Sequence, residues 1–119
     1  WWLMNDGGGP HQSTGTEPVG LEVRGSAFAH KESGDLDLAT FYDLTLTARD
    51  DVVDAYFGLW VDGDLGNHFD DYVGVDSLLH LGYFYNADEQ DGDPGSYGYG
   101  TPPPAVGIVF LKGPPADAN

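Results

Sequence analysis

Apolar residues in this chain recur at every second position, and Gly, Pro or Asp interrupts the runs. That spacing suits the pleat of a β-strand, whose side chains alternate between two faces, and not the 3.6-residue helical turn. The clearest run places Leu36, Leu38, Thr40, Tyr42, Leu44, Leu46 and Ala48 on one face. A second carries Val53, Ala55, Phe57, Leu59 and Val61. A third alternates from Val73 through Leu79, Leu81 and Tyr83 to Tyr85, and the last contains Val106, Ile108 and Phe110. An earlier strand is expected from Val19 to about His30, with its phase slipping near Gly25, where a bulge is expected. No window sustains a helical period.

Five or six strands separated by turns predict an all-β fold, specifically an antiparallel β-sandwich of jelly-roll or Ig-like two-sheet form with long acidic loops. Its core is expected to contain Leu38, Leu44, Leu46, Phe57, Leu59, Leu79, Leu81, Ile108 and Phe110. Residues 1–112 read as a single module and 113–119 as a linker or tail. A start at Trp1-Trp2, with neither an initiator Met nor a signal-peptide pattern, reads as a piece of a longer polypeptide.

Charge narrows the function. Twenty Asp and Glu against four Lys and Arg give a formal charge of -16. Phosphate contacts need cations, so nucleic acid and anionic membranes are poor partners. No run approaches the ~20 apolar residues of a membrane-spanning helix, and no membrane insertion is expected. The chain has no Cys, which removes disulfides, thiolate nucleophiles and cysteine zinc sites. An aromatic content of 13% still marks a folded domain and not a disordered acidic tail.

The acids form two knots. The first runs from Asp62 to Asp76 and contains Asp64, Asp70 and Asp71; the second, Asp88-Glu89-Gln90-Asp91-Gly92-Asp93, lies just after the strand ending at Asn86. Asp-x-Asp-x-Gly turns aim carboxylates and carbonyls into one concavity, and Ca²⁺ accepts six to eight oxygens. A divalent cation also relieves the repulsion between crowded carboxylates. A structural Ca²⁺ is therefore expected at Asp62, Asp64, Asp70, Asp71 and Asp76, with Asn86, Asp88, Asp91 and Asp93 as secondary ligands. The spacing is not an EF-hand, because Val73 stands where the bidentate Glu belongs. Mg²⁺ favours fewer protein ligands, and the four scattered His do not suit zinc. The bland alternative is that these are solvated turn residues.

Catalysis has little support. With twenty acids, a carboxylate pair arises by chance. His68 beside Asp70 and Asp71 lacks a nucleophile, and no Gly-x-Ser-x-Gly occurs. No enzyme is expected. Trp1, Trp2, Tyr56, Trp60, Tyr97 and Tyr99 invite a sugar-stacking platform; the competing reading has Trp60 and Tyr56 covering a sheet face and Trp1 and Trp2 plugging one end.

Several segments resemble a recurrent module of large secreted proteins from Bacteroidota-like bacteria, many of which end in a type IX secretion sorting domain. These are Trp2-Leu3-Met4-Asn5-Asp6, Pro18-Val19-Gly20-Leu21-Glu22-Val23, Thr40-Phe41-Tyr42 and Trp60-Val61-Asp62-Gly63-Asp64-Leu65-Gly66. They continue with Asp70-Asp71-Tyr72-Val73-Gly74-Val75-Asp76, Leu81-Gly82-Tyr83-Phe84-Tyr85-Asn86-Ala87-Asp88, Pro103-Pro104-Ala105-Val106-Gly107 and Phe110-Leu111-Lys112-Gly113-Pro114. The resemblance implies an extracellular or cell-surface location and a role in structure, display or adhesion. Its partners would be other domains of the parent protein, like modules or a glycan. Members often carry Cys at the positions of Val75 and Phe84, so any disulfide between those loops is lost here.

Overall fold

The computed structural model describes residues 1–31, 34–93 and 97–114. The chain divides into two compact units, Trp1–Gly58 and Leu59–Asn119, each holding one three-stranded antiparallel sheet. The fold is all-β. Among the described residues the helical geometry is one 3-10 turn, Asp35–Leu38, and no helix is long and apolar enough to cross a membrane.

In the first unit, β1 (Trp2–Asn5), β2 (Leu21–Ala29) and β3 (Thr40–Ala48) pair in chain order. The β2–β3 register is unbroken from Leu21 opposite Ala48 to Ala29 opposite Thr40. Gly25 is therefore not a bulge. It pairs with Trp2 across the sheet, and a Cβ there would collide with the Trp2 indole. Glycine is needed because a large ring lies on the backbone opposite it, and Trp2 meets Tyr42 edge-on at 6.4 Å. The phase slip read near Gly25 has another cause: Phe28 sits on the opposite face and stacks on its cross-strand partner Phe41 at 5.3 Å.

In the second unit, β4 (Asp71–Asp76), β5 (Leu81–Asn86) and β6 (Ala105–Val109) also pair in chain order. The alternation from Val73 to Tyr85, read as one segment, is a hairpin. Asp76 accepts hydrogen bonds from the Leu78 and Leu79 amides (3.0 and 3.1 Å), and His80 turns through φ 52°. An Asx turn without Gly or Pro leaves the alternation visually uninterrupted.

Two expectations are corrected. The strand read over Leu36–Arg49 begins only at Thr40, because Asp35–Leu38 forms the 3-10 turn. The run Val53–Val61 is not a strand and has no ladder partner. The expected core fails with them. Leu38 is 92% exposed; Leu46, Phe57, Leu59, Leu79 and Phe110 are also exposed, and Leu44, Leu81 and Ile108 are half-buried. A single sheet gives its side chains neighbours within one layer, and alternation reports a shared face without reporting what covers it. Among the described residues the buried large hydrophobe is Leu65, 7% exposed, in the loop leading to β4. Of the tail expected at 113–119, Pro115 to Asn119 lie outside the described residues.

Candidate functional site

The second sheet ends in an acidic hub. Asp71 opens β4 and Asn86 closes β5, and the ladder places them opposite one another and hence on one face. Asp70 immediately precedes them. Each reaches into a loop that lacks ladder hydrogen bonds of its own, where buried backbone donors must find other acceptors.

Asp71 Oδ2 accepts the Leu65 amide at 2.8 Å, which fixes the backbone of the one buried large hydrophobe among the described residues. Asp70 Oδ2 accepts the Gly92 amide at 3.1 Å, and the Asp70 carbonyl accepts the Ala87 amide. Asn86 Nδ2 donates to the Asp88 and Gln90 carbonyls at 3.2 and 3.1 Å. Those acceptors fix the amide's orientation, because flipping it would put an oxygen against two oxygens.

Asp91, 2% exposed, is the most deeply buried polar residue described. Its Oδ1 accepts the Asn67 amide at 2.8 Å, its Oδ2 accepts the Tyr99 amide, and its backbone pairs with Gly100 in both directions. Two glycines make room for it. A Cβ on Gly66 (φ 60°) would overlap the Asp91 carboxylate, and one on Gly98 (φ 152°) would overlap the Asp91 carbonyl. The sequence marked Asp91 only as a secondary ligand. Its clearer signal is these two glycines at positive φ, a conformation that single-sequence reading does not reveal.

The remaining acids are placed differently. Asp62 and Asp64 are exposed, and Asp76 caps the hairpin at the far end of β4. A six-residue strand separates Asp71 from Asp76 by roughly 17 Å. The five primary residues thus do not form one cage. Asp88 Oδ1 accepts the Gln90 amide at 2.8 Å, while Asp93 lies exposed beside a polar cleft of about 310 Å³ that Asn67, Asp70 and Asp88 also line.

Among the described residues, no group of three or more His, Cys, Asp or Glu side chains is disposed to hold a metal ion. Asp70 Oδ1, Asp71 Oδ1 and Asn86 Oδ1 are nevertheless buried oxygens with no hydrogen-bond partner among the described residues. A buried, unpartnered anionic oxygen is costly unless a cation or water satisfies it. All three are oxygens, the donor type that Ca²⁺ accepts, and two of them, on Asp71 and Asn86, belong to cross-strand partners.

The reading that Trp60 and Tyr56 cover a sheet face is corrected. Trp60 is 84% exposed, Tyr56 lies fully in solvent, and neither belongs to a strand. Trp1 is exposed, while Trp2 packs on Gly25. No family model, curated protein or solved structure matches the chain.

Proposed function

We propose that the protein is a non-catalytic structural or adhesion module of a larger secreted or cell-surface bacterial protein, stabilised by calcium at its acidic loops. The observation that carries this reading is the trio of buried, unpartnered oxygens on Asp70, Asp71 and Asn86. The best-positioned carboxylates spend their other oxygens on backbone amides of the same chain, which is the work of a scaffold and not of a substrate site. The segments quoted above support the extracellular location, with neighbouring domains or like modules as partners. We also propose a jelly-roll or Ig-like sandwich as the closure of the fold, supported by an apolar face on each sheet. Met4, Val23 and Leu46 share one face; Val73, Phe84 and Val106 share the other.

Thermal unfolding tests the calcium reading. An ion bound by the native state alone stabilises it by RT ln(1 + [L]/Kd), about 2.7 kcal/mol at a hundred times Kd. That corresponds to several degrees of Tm for a domain of this size. Na⁺ at matched ionic strength screens the -16 charge without filling an oxygen site. Ca²⁺ should raise Tm, chelator should reverse the rise, and matched Na⁺ should not reproduce it. Equal responses to the two salts would contradict the proposal.

A glycan-binding reading is favoured by the exposure of Trp60. It requires that Trp60→Ala abolish retention on a polysaccharide gel while Tm stays unchanged.

A further inference from the structure

The two faces of the second sheet differ in chemistry. The ladders place Val73, Phe84 and Val106 on the face proposed above for sandwich closure. The opposite face carries Tyr72, Tyr83 and Tyr85, with Gly74, Ala105 and Gly107 beside them. Asp76, at the hairpin end, is the one charged residue of the three strands on this face. The first sheet, by contrast, sets Glu22, Arg24, Asp43, Thr45 and Thr47 on one face, the composition of an ordinary solvated surface.

The three rings form one group. Tyr85 meets its cross-strand partner Tyr72 edge-on at 5.9 Å and lies 5.7 Å from Tyr83, tilted by 35°. Tyr83 leans across the ladder, because a Cβ on its partner Gly74 would overlap the hydroxyl end of the Tyr83 ring. Gly74 explains Tyr83, as Gly25 explains Trp2 in the first sheet. It does not explain Tyr72 and Tyr85, which are both exposed. On the β6 side, Ala105 and Gly107 stand opposite Tyr85 and Tyr83 and have no side chain tall enough to wall the rings off. The result is a shallow aromatic shelf, braced at Tyr83 and open at Tyr72 and Tyr85.

We propose that this shelf binds a neutral glycan, a β-linked chain of pyranoses with equatorial hydroxyls. Such a sugar ring presents a face of C–H groups, whose partial positive charge suits the negative face of a phenol ring. Its hydroxyls project from the rim, where phenol O–H groups can both donate and accept. Tyrosine loses little freedom on binding, because only two torsions fix it. Charge selects against other occupants. The strands offer no cation on this face, and a chain of charge -16 repels nucleic acid and acidic polysaccharides. A second copy would bring the same -16. A neutral, polyhydroxylated partner meets neither obstacle. The shelf deepens the glycan reading above by moving it from Trp60 to these tyrosines, and it does not depend on calcium.

The experiment titrates the whole chain with cellohexaose and follows the tyrosine ring resonances by NMR. The rings of Tyr72, Tyr83 and Tyr85 should shift together and saturably, while those of Tyr42 and Tyr56 stay in place. Cellouronate of equal length, the same chain with a carboxylate on each ring, should give no saturable shift. Tyr72→Ala and Tyr85→Ala should each raise the cellohexaose Kd about fivefold or more. Trp60→Ala should leave it unchanged. The ring shifts need no substitution, so they decide the matter if either alanine variant fails to fold. Binding lost in Trp60→Ala and kept in Tyr72→Ala and Tyr85→Ala would overturn the shelf and leave the glycan reading standing. Shifts confined to other rings, equal binding of cellouronate, or no saturable shift would also overturn the shelf; retention of Trp60→Ala on a polysaccharide gel then decides the glycan reading by its own result.

Discussion

Residues 1–58 and 59–119 each contain ten of the twenty acids and one three-stranded antiparallel sheet, yet the acids serve different ends. The first unit also holds Arg24, Lys31 and Arg49, while the second has Lys112 alone. In the first, Asp6 closes the long loop into β2 by accepting the Val19 and Leu21 amides at 2.7 and 3.1 Å. Glu22 meets Arg49 at 3.4 Å in an open ion pair of small energetic value. In the second, Asp70, Asp71, Asp76, Asp88 and Asp91 all accept backbone amides, and the hub buries oxygens that no donor among the described residues reaches. Where side-chain cations are scarce, backbone N–H groups become the counter-charge. Where those run out, the proposed cation would be the remaining source.

Perturbing equivalent positions in the two units tests that contrast. Asp91→Ala should be the most damaging change, because it orphans the Asn67 and Tyr99 amides of a residue 2% exposed. Hydrogen bonds to a charged group contribute about 1.5–3 kcal/mol each, so a loss of about 3 kcal/mol or more is expected from urea denaturation. A loss under about 1 kcal/mol would mean that the hub does not hold the unit together. Gly66→Ala follows, at about 2 kcal/mol, since a methyl at φ 60° is both strained and directed into Asp91. It should speed exchange at Tyr99, an effect that backbone strain alone would not transmit. Asp6→Ala should cost about 1 kcal/mol, because its bonds lie nearer solvent. If it costs as much as Asp91→Ala, the two units do not differ as described. Trp60→Ala, in exposed irregular chain, should fall within about 0.5 kcal/mol of the parent.

The all-β class and most strands were legible because alternation is a local property. Thr40–Ala48 and Ala105–Val109 stand where the apolar runs placed them. Val53–Val61 alternates equally well and forms no strand, since pairing needs a partner that alternation does not name. The Ser77–His80 turn was hidden because Asp76, and not glycine, makes it. In the hub, the density of Asp was visible, but its internal division was not. Asp71 is drawn to Asn86 by the β4–β5 register, which also carries Asp76 to the opposite end of the strand. Asp91 becomes central only because Gly66 and Gly98 leave it room, a relation spanning 32 residues that no periodicity encodes.

The central claim is that the second unit's buried oxygens take a cation, and calorimetric titration of the metal-free chain with Ca²⁺ addresses it directly. The account predicts saturable binding that Na⁺ at matched ionic strength does not mimic. Asp71→Asn should abolish it, whereas Asp62→Ala, which alters an exposed loop, should leave it intact. Binding abolished by Asp62→Ala and retained by Asp71→Asn, or no saturable heat at all, would contradict the assignment.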